Sequence, residues 1–105
     1  SPLGYLATSL AGCTAVIVER CVKDAKLDIE SMKVKSTIVY SPRGIGGVAG
    51  YKSNPSEAIT DVWIKIDATP EQIEAVKADY MKRCPVYNLF SASGCKMIDN
   101  WHVNE

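Results

Sequence analysis

A chain of 105 residues has room for one domain around one core. Its 12 basic and 12 acidic residues cancel, so no charge surplus points to nucleic acid or to an anionic membrane surface. With 47% hydrophobic and 23% charged residues, the composition excludes a disordered chain.

Ser1 is placed to cap a first helix, and Pro2 occupies the first helical position, where its missing N–H costs nothing. Leu3, Leu6, Leu10, Cys13, Ile17 and Cys21 recur at spacings of three and four, which predicts a helix from about Pro2 to Asp24. No residue from Tyr5 to Val18 is charged, so its first two thirds read as a helix buried on nearly all sides. That run falls short of the ~20 apolar residues that span a bilayer, and no basic region precedes it. Its small members Ala7, Thr8, Ser9, Gly12 and Thr14 suit close protein packing, so a soluble protein without a membrane partner is expected. Glu19, Arg20, Lys23 and Asp24 bring the end of the helix to water.

Ser31 to Tyr40 alternates, with Met32, Val34, Ser36, Ile38 and Tyr40 on one face, and predicts a half-buried strand. Ser41 to Pro55 is rich in glycine and proline and reads as a loose hairpin connection. Within it Gly44-x-Gly46-x-x-Ala49 approximates a dinucleotide fingerprint, but Tyr51-Lys52-Ser53-Asn54-Pro55 cannot open a helix, so no phosphate site is expected. A second strand runs from about Ile59 to Ala68, with Val62, Ile64 and Ile66 on one face.

Thr69-Pro70-Glu71-Gln72 is a helix start, with Thr as N-cap and Gln three residues after it. That helix extends to about Arg83, where Pro85 forces a break. Pro85 to Ser91 then forms a short helix capped by Cys84, Gly94 ends it, and Cys95 to Val103 is a third strand. The order is α-β-β-α-α-β in a single domain over residues 1–105, an α+β protein.

Four cysteines without an export signal point to a reducing cytoplasm rather than to a stapled secreted domain. There is no CxxC pair and only one histidine, His102, so no metal site is expected. Cys21 and Cys95 read as structural, although a bond between them is not excluded by the pattern. On pattern alone Cys84 reads as a small N-cap and Cys13 as a small buried residue. Trp63, Tyr40, Tyr51 and Tyr87 are candidates either for an apolar pocket or for core and interface positions.

Two local sequences carry a family signal. Ser1-Pro2-Leu3-Gly4-Tyr5-Leu6-Ala7 leads to Leu10-Ala11-Gly12-Cys13-Thr14, and Arg83-Cys84-Pro85-Val86-Tyr87-Asn88-Leu89 follows the capped helix. Together, 71 residues apart at the cysteines, they resemble the OsmC/Ohr superfamily across essentially the whole chain. The resemblance implies an OsmC-like fold with a long buried central helix, a second helix on a mostly antiparallel sheet, and an intertwined homodimer. It implies a thiol-dependent peroxidase acting on organic hydroperoxides in oxidative-stress protection. Cys13 and Cys84 would be the redox pair, regenerated by a dithiol reductant, with no cofactor.

Two departures bear on activity. The strands that normally precede the long helix are missing here, and Ser1 in place of an initiator Met implies a processed or trimmed start. The missing strands normally supply an arginine that pairs with the reactive cysteine. Leu3 stands where the peroxidase branch has the glutamate that holds this arginine. Cys13 in an apolar helix needs a cation to become a thiolate. Arg20 lies roughly 10 Å along the same helix by its rise, too far to serve. The missing segment ranks first as the source and Arg83 second, with a dimer partner's arginine as a further one. At a helix N-terminus, Cys84 would have its thiolate favoured by free N–H groups. The competing function is a non-catalytic OsmC-like module that binds a small apolar ligand; a third reading is a fragment of a longer protein.

Overall fold

The computed structural model describes residues 1–105. Ser1 Oγ accepts the Gly4 amide at 3.1 Å and opens helix α1, Pro2–Asp24, whose first turn thereby has one of its free N–H groups satisfied. Strand β1, Ile29–Val39, follows. The connection then makes a four-residue helical turn, α2, Pro42–Ile45, before strand β2, Glu57–Ile66.

Thr69 and Gln72 form the reciprocal capping box, at 3.2 and 2.9 Å, and launch α3, Pro70–Arg83. Cys84 ends α3 and caps α4, Pro85–Ala92. Gly94 at φ 88° turns the chain into β3, Lys96–Val103, a left-handed geometry that glycine adopts without strain.

β2 is the middle strand of the order β1-β2-β3. It pairs antiparallel with β1, Val34 opposite Val62, and parallel with β3, Val62 opposite Trp101. The parallel pairing follows from the connection: α3 and α4 carry the chain back before β3 begins, as a parallel pair requires. Along β2 the residues Ala58, Thr60, Val62, Ile64 and Ile66 are buried, every second position as a pleated strand dictates. They face α1 and α3, whose Val18, Val22, Ile73, Val76 and Tyr80 complete the main core.

α1 has the predicted bounds, but its burial is one-sided. Leu10, Thr14, Val18, Cys21 and Val22 are buried, while Tyr5 and Val16 on the opposite side stand in solvent, Val16 at 61% exposure. By length and composition this helix is able to cross a membrane; here one face packs on the sheet and on α3. A three-stranded sheet and two further helices cover only that face. Just 16 of 105 residues are buried. The radius of gyration is 15.2 Å, against about 13 Å for a compact domain of this length. The chain is long and thin-cored.

The glycine-rich connection is folded back on itself rather than loose. Ser41 and Pro42 supply the cap and first position of α2, Val48 N–H bonds the Arg43 carbonyl at 2.9 Å, and Arg43 Nη1 donates to the Tyr51 hydroxyl at 2.9 Å. A Cβ on Gly44 would overlap the Lys52 carbonyl, so this close approach of two backbones needs glycine.

Candidate functional site

Cys13 and Cys84, 71 residues apart in the chain, meet with their sulfurs 3.4 Å apart. Cys13 comes from the middle of α1 and is half-buried; Cys84 comes from the α3–α4 corner and is fully buried. The Cys84 thiol donates to Cys13 Sγ. The corner that presents Cys84 is over-determined. Its N–H bonds the Tyr80 carbonyl at 2.9 Å, completing the last turn of α3. Its carbonyl accepts the Asn88 side-chain amide at 2.8 Å, and that amide also reaches the Met81 carbonyl at 2.9 Å. Pro85 occupies the first position of α4, where no N–H is needed.

The helix N-terminus does not produce the low-lying Cys84 thiolate expected from it. Tyr87 N–H points at Cys84 Sγ from 3.5 Å, but burial outweighs it and pushes the Cys84 thiol up to about 11. Desolvation of the charged form exceeds what one long N–H bond returns. Cys84 is therefore a protonated donor at neutral pH, and its neighbour Cys13 is the more accessible sulfur.

Thr14, adjacent to Cys13, and Tyr80, four residues before Cys84, share a buried 2.8 Å hydroxyl–hydroxyl bond. The Tyr80 ring meets Tyr87 edge-on at 5.5 Å and Trp101 at 6.4 Å. Thr14, Tyr80 and Trp101 are surroundings of the thiol pair that sequence reasoning missed. The helical spacing of Thr14 and Tyr80 from the two cysteines was visible; their convergence across α1 and α3 was not.

Arg83 follows a different course from the one envisaged for an activating cation. Its Nη1 lies 2.9 Å from Asp79 and 2.9 Å from Asp24. Asp24 is the last residue of α1, about three helical turns beyond Cys13. The guanidinium is directed to that end of the helix, and the structure does not bring it to the sulfur pair. Cys13 receives its hydrogen bond from Cys84 instead.

Cys21 and Cys95 are buried, free and apart from the pair. Burial first, then Asp79, drives Cys21 up to about 11; burial first, then Glu57, raises Cys95. Both are buried thiols, of the kind that fill cores, whose burial disfavours the thiolate. Of the four aromatics singled out, only Tyr87 lies at the thiol pair. Trp63 stacks on His102 at 5.0 Å and lies under Lys33 on the sheet face away from the helices. Tyr51 belongs to the folded connection, and the buried Tyr40 hydroxyl has no partner. His102 bonds Asp61 at 3.1 Å, which raises its pKa.

The chain matches the family described as OsmC-like protein over residues 1–98. No curated protein matches it. Solved structures do. An OsmC-like protein of Mycoplasma pneumoniae is 21% identical, superposes with a TM-score of 0.86, and is matched over 100% of this chain and 72% of its own. An organic hydroperoxide resistance protein of Elizabethkingia anophelis is 14% identical with a TM-score of 0.78, over 99% of this chain and 69% of its own. An organic hydroperoxide resistance protein OsmC of Legionella pneumophila is 14% identical with a TM-score of 0.67, over 100% and 69%. At such identities the likeness establishes the α+β fold with its long helix and mostly antiparallel sheet. With 98 residues matched in order and this fold around the paired cysteines, the chain belongs to the OsmC-like family.

Proposed function

We propose that this protein is a thiol-dependent peroxidase that reduces organic hydroperoxides through Cys13 and Cys84, as a homodimer in a reducing cytoplasm, in defence against oxidative stress. The observation that carries the reading is the 3.4 Å approach of two sulfurs from distant parts of the chain. Two free thiols in van der Waals contact are what a dithiol peroxidase requires. Two relatives of the same fold carry the name organic hydroperoxide resistance protein, which supports the substrate class.

The chemistry divides between the two sulfurs. Cys13, half-exposed, attacks the outer oxygen of the hydroperoxide as thiolate. The O–O bond breaks, the S–O bond of a sulfenic acid forms, and the alkoxide leaves as alcohol after taking a proton. Cys84 then gives up its thiol proton and attacks that sulfur. The Cys13–Cys84 disulfide forms and water leaves. An external dithiol reduces the disulfide, is itself oxidised, and restores both thiols. The cation that favours the Cys13 thiolate comes from outside the chain's own contacts at that sulfur, since Arg83 is engaged by Asp79 and Asp24.

The bare side of α1 supports the dimer. Tyr5 and Val16, eleven residues apart and so on one side of α1, are exposed on the helix that bears the reactive sulfur, and a second copy laid along it would cover them and close the site to water.

One observation favours a second reading, a non-catalytic module for a small apolar ligand. An open hollow of about 180 Å³, lined chiefly by Leu6, Pro55, Leu89 and Phe90, lies between α1 and α4. Turnover separates the two. The peroxidase oxidises one dithiol per tert-butyl hydroperoxide and yields a Cys13–Cys84 disulfide by mass spectrometry after one equivalent of peroxide. An unmodified mass and no turnover would leave only the ligand-binding reading.

A further inference from the structure

Two links of different chemistry join α1 to the α3–α4 corner side by side. One is the sulfur pair. The other, one residue along α1 and one turn back along α3, is the Thr14–Tyr80 hydroxyl bond, 2.8 Å long and buried. Tyr80 is doubly tied to Cys84. Its carbonyl accepts the Cys84 N–H, so the two residues are neighbours four apart on one helical face. Its ring packs edge-on against Tyr87, the residue whose N–H points at Cys84 Sγ. Trp101 of β3 flanks the ring as well. The hydroxyl thus sits at the end of a rigid lever whose base carries Cys84.

We infer that the Thr14–Tyr80 hydroxyl bond is the strut that holds the two sulfurs at closing distance, making Tyr80 a positioning residue for disulfide formation. The inference rests on the peroxidase reading above and assigns the pair a role within it. The sulfenic acid at Cys13 has two fates. It condenses with the Cys84 thiol, forming the S–S bond and releasing water. Alternatively its sulfur attacks the outer oxygen of a second hydroperoxide, a second S–O bond forms as the O–O bond breaks, and sulfinic acid and one further alcohol result. The first fate depends on how often Cys84 Sγ lies within reach; the second does not. A strut that fixes the gap between α1 and the corner therefore sets the ratio of the two.

The fold does not depend on this bond alone. Without Tyr80 Oη, the Thr14 hydroxyl can turn to the main-chain carbonyl four residues back, as helical threonines do, and the phenyl ring still fills the same space between Tyr87 and Trp101. Loss of the hydroxyl is thus expected to appear in the partition of oxidised Cys13 rather than as unfolding.

The experiment titrates the full chain with cumene hydroperoxide, without reductant, and measures by tandem mass spectrometry the ratio of Cys13–Cys84 disulfide to Cys13 sulfinic acid. Tyr80→Phe and Thr14→Val are each expected to lower the ratio about tenfold. The double variant is expected to fall no further, because both remove one bond. Thr14→Ser, which keeps the hydroxyl, recovers the ratio lost in Thr14→Val. Circular dichroism confirms folding of each variant. If the unmodified chain forms no Cys13–Cys84 disulfide, the peroxidase reading itself falls. If it does form the disulfide while Tyr80→Phe and Thr14→Val keep its ratio, or if Thr14→Ser behaves as Thr14→Val, the strut is overturned and the reading stands.

Discussion

The side-chain amide of Asn88, on α4, donates to the main-chain carbonyl of Cys84 at 2.8 Å while the same nitrogen reaches the Met81 carbonyl of α3 at 2.9 Å. One side chain thereby satisfies the Met81 carbonyl left free where α3 ends, adds a second bond to the Cys84 carbonyl that the Asn88 N–H already reaches at 3.1 Å, and fixes the corner from which Cys84 faces α1. Asn88→Ala is expected to cost about 1 kcal/mol, the usual worth of such a bond, read from the urea midpoint. Asn88→Asp should cost more, because a carboxylate has no hydrogen to donate and faces carbonyl oxygens. Equal stability of the Asn88→Asp and Asn88→Ala variants would show that the amide does not act as a donor here.

Asp99 of β3 lies opposite Thr60 on the helix-facing side of the sheet, and neither of its carboxylate oxygens has a hydrogen-bond partner. Burial raises its pKa from 3.8 to about 6, with Lys77 opposing. The folded state therefore holds the proton more tightly than the unfolded chain, so this residue's contribution to stability falls as pH rises from 3.8 to about 6. Asp99→Asn removes that penalty. Its urea midpoint is expected to exceed that of the unmodified chain above pH 6, with the difference vanishing near pH 4. Parallel pH profiles for the two proteins would contradict the assignment.

Arg83 joins α3 to the end of α1 through Asp79 and Asp24. These pairs are partly exposed and screened by salt. Arg83→Ala should lower the thermal midpoint slightly at low salt and still less at high salt, while peroxide consumption by Cys13 changes by less than about threefold. A hundredfold loss of peroxide reactivity without unfolding would restore Arg83 as the activating cation.

Val16, 61% exposed on the uncovered side of α1, is the position at which a charge most directly tests association. Light scattering at micromolar concentration is expected to give twice the 11.4 kDa chain mass. Val16→Glu should shift the population to monomer, through the cost of burying a carboxylate against apolar surface. A monomeric unmodified chain would remove the dimer from the proposal.

The elements that local chemistry dictates were legible in the sequence. Ser1-Pro2, Thr69-Pro70 with Gln72, and Cys84-Pro85 each announce a helix start, and each is found capped as written. The pairing of Cys13 with Cys84 was legible only through the resemblance, because no periodicity relates residues 71 positions apart. Ser41-Pro42 carries the same cap signal as the longer helices, but four residues amid glycines give no periodicity to support it, and α2 was read as part of a loose connection. Side-chain direction was the least accessible level. The i,i+4 spacing offers Asp79 as a partner for Arg83, but nothing local tells that Arg83 also reaches Asp24, or that Tyr80 meets Thr14. The dipole argument for Cys84 failed for a related reason: the depth of burial that opposes it is a property of the assembled core.

The contact between residues 13 and 84 also ties oxidation to the unfolded ensemble. A covalent link there closes a loop of 71 residues, and in the chain-entropy view such a loop lowers the freedom of the denatured state enough to favour the native one by about 4 kcal/mol. For a chain with so slender an interior this is a large fraction of what typical domains possess. In the proposed cycle each passage would thus alternately cross-link and release the scaffold, and the reduced protein is expected to be the form more open to proteolysis and heat.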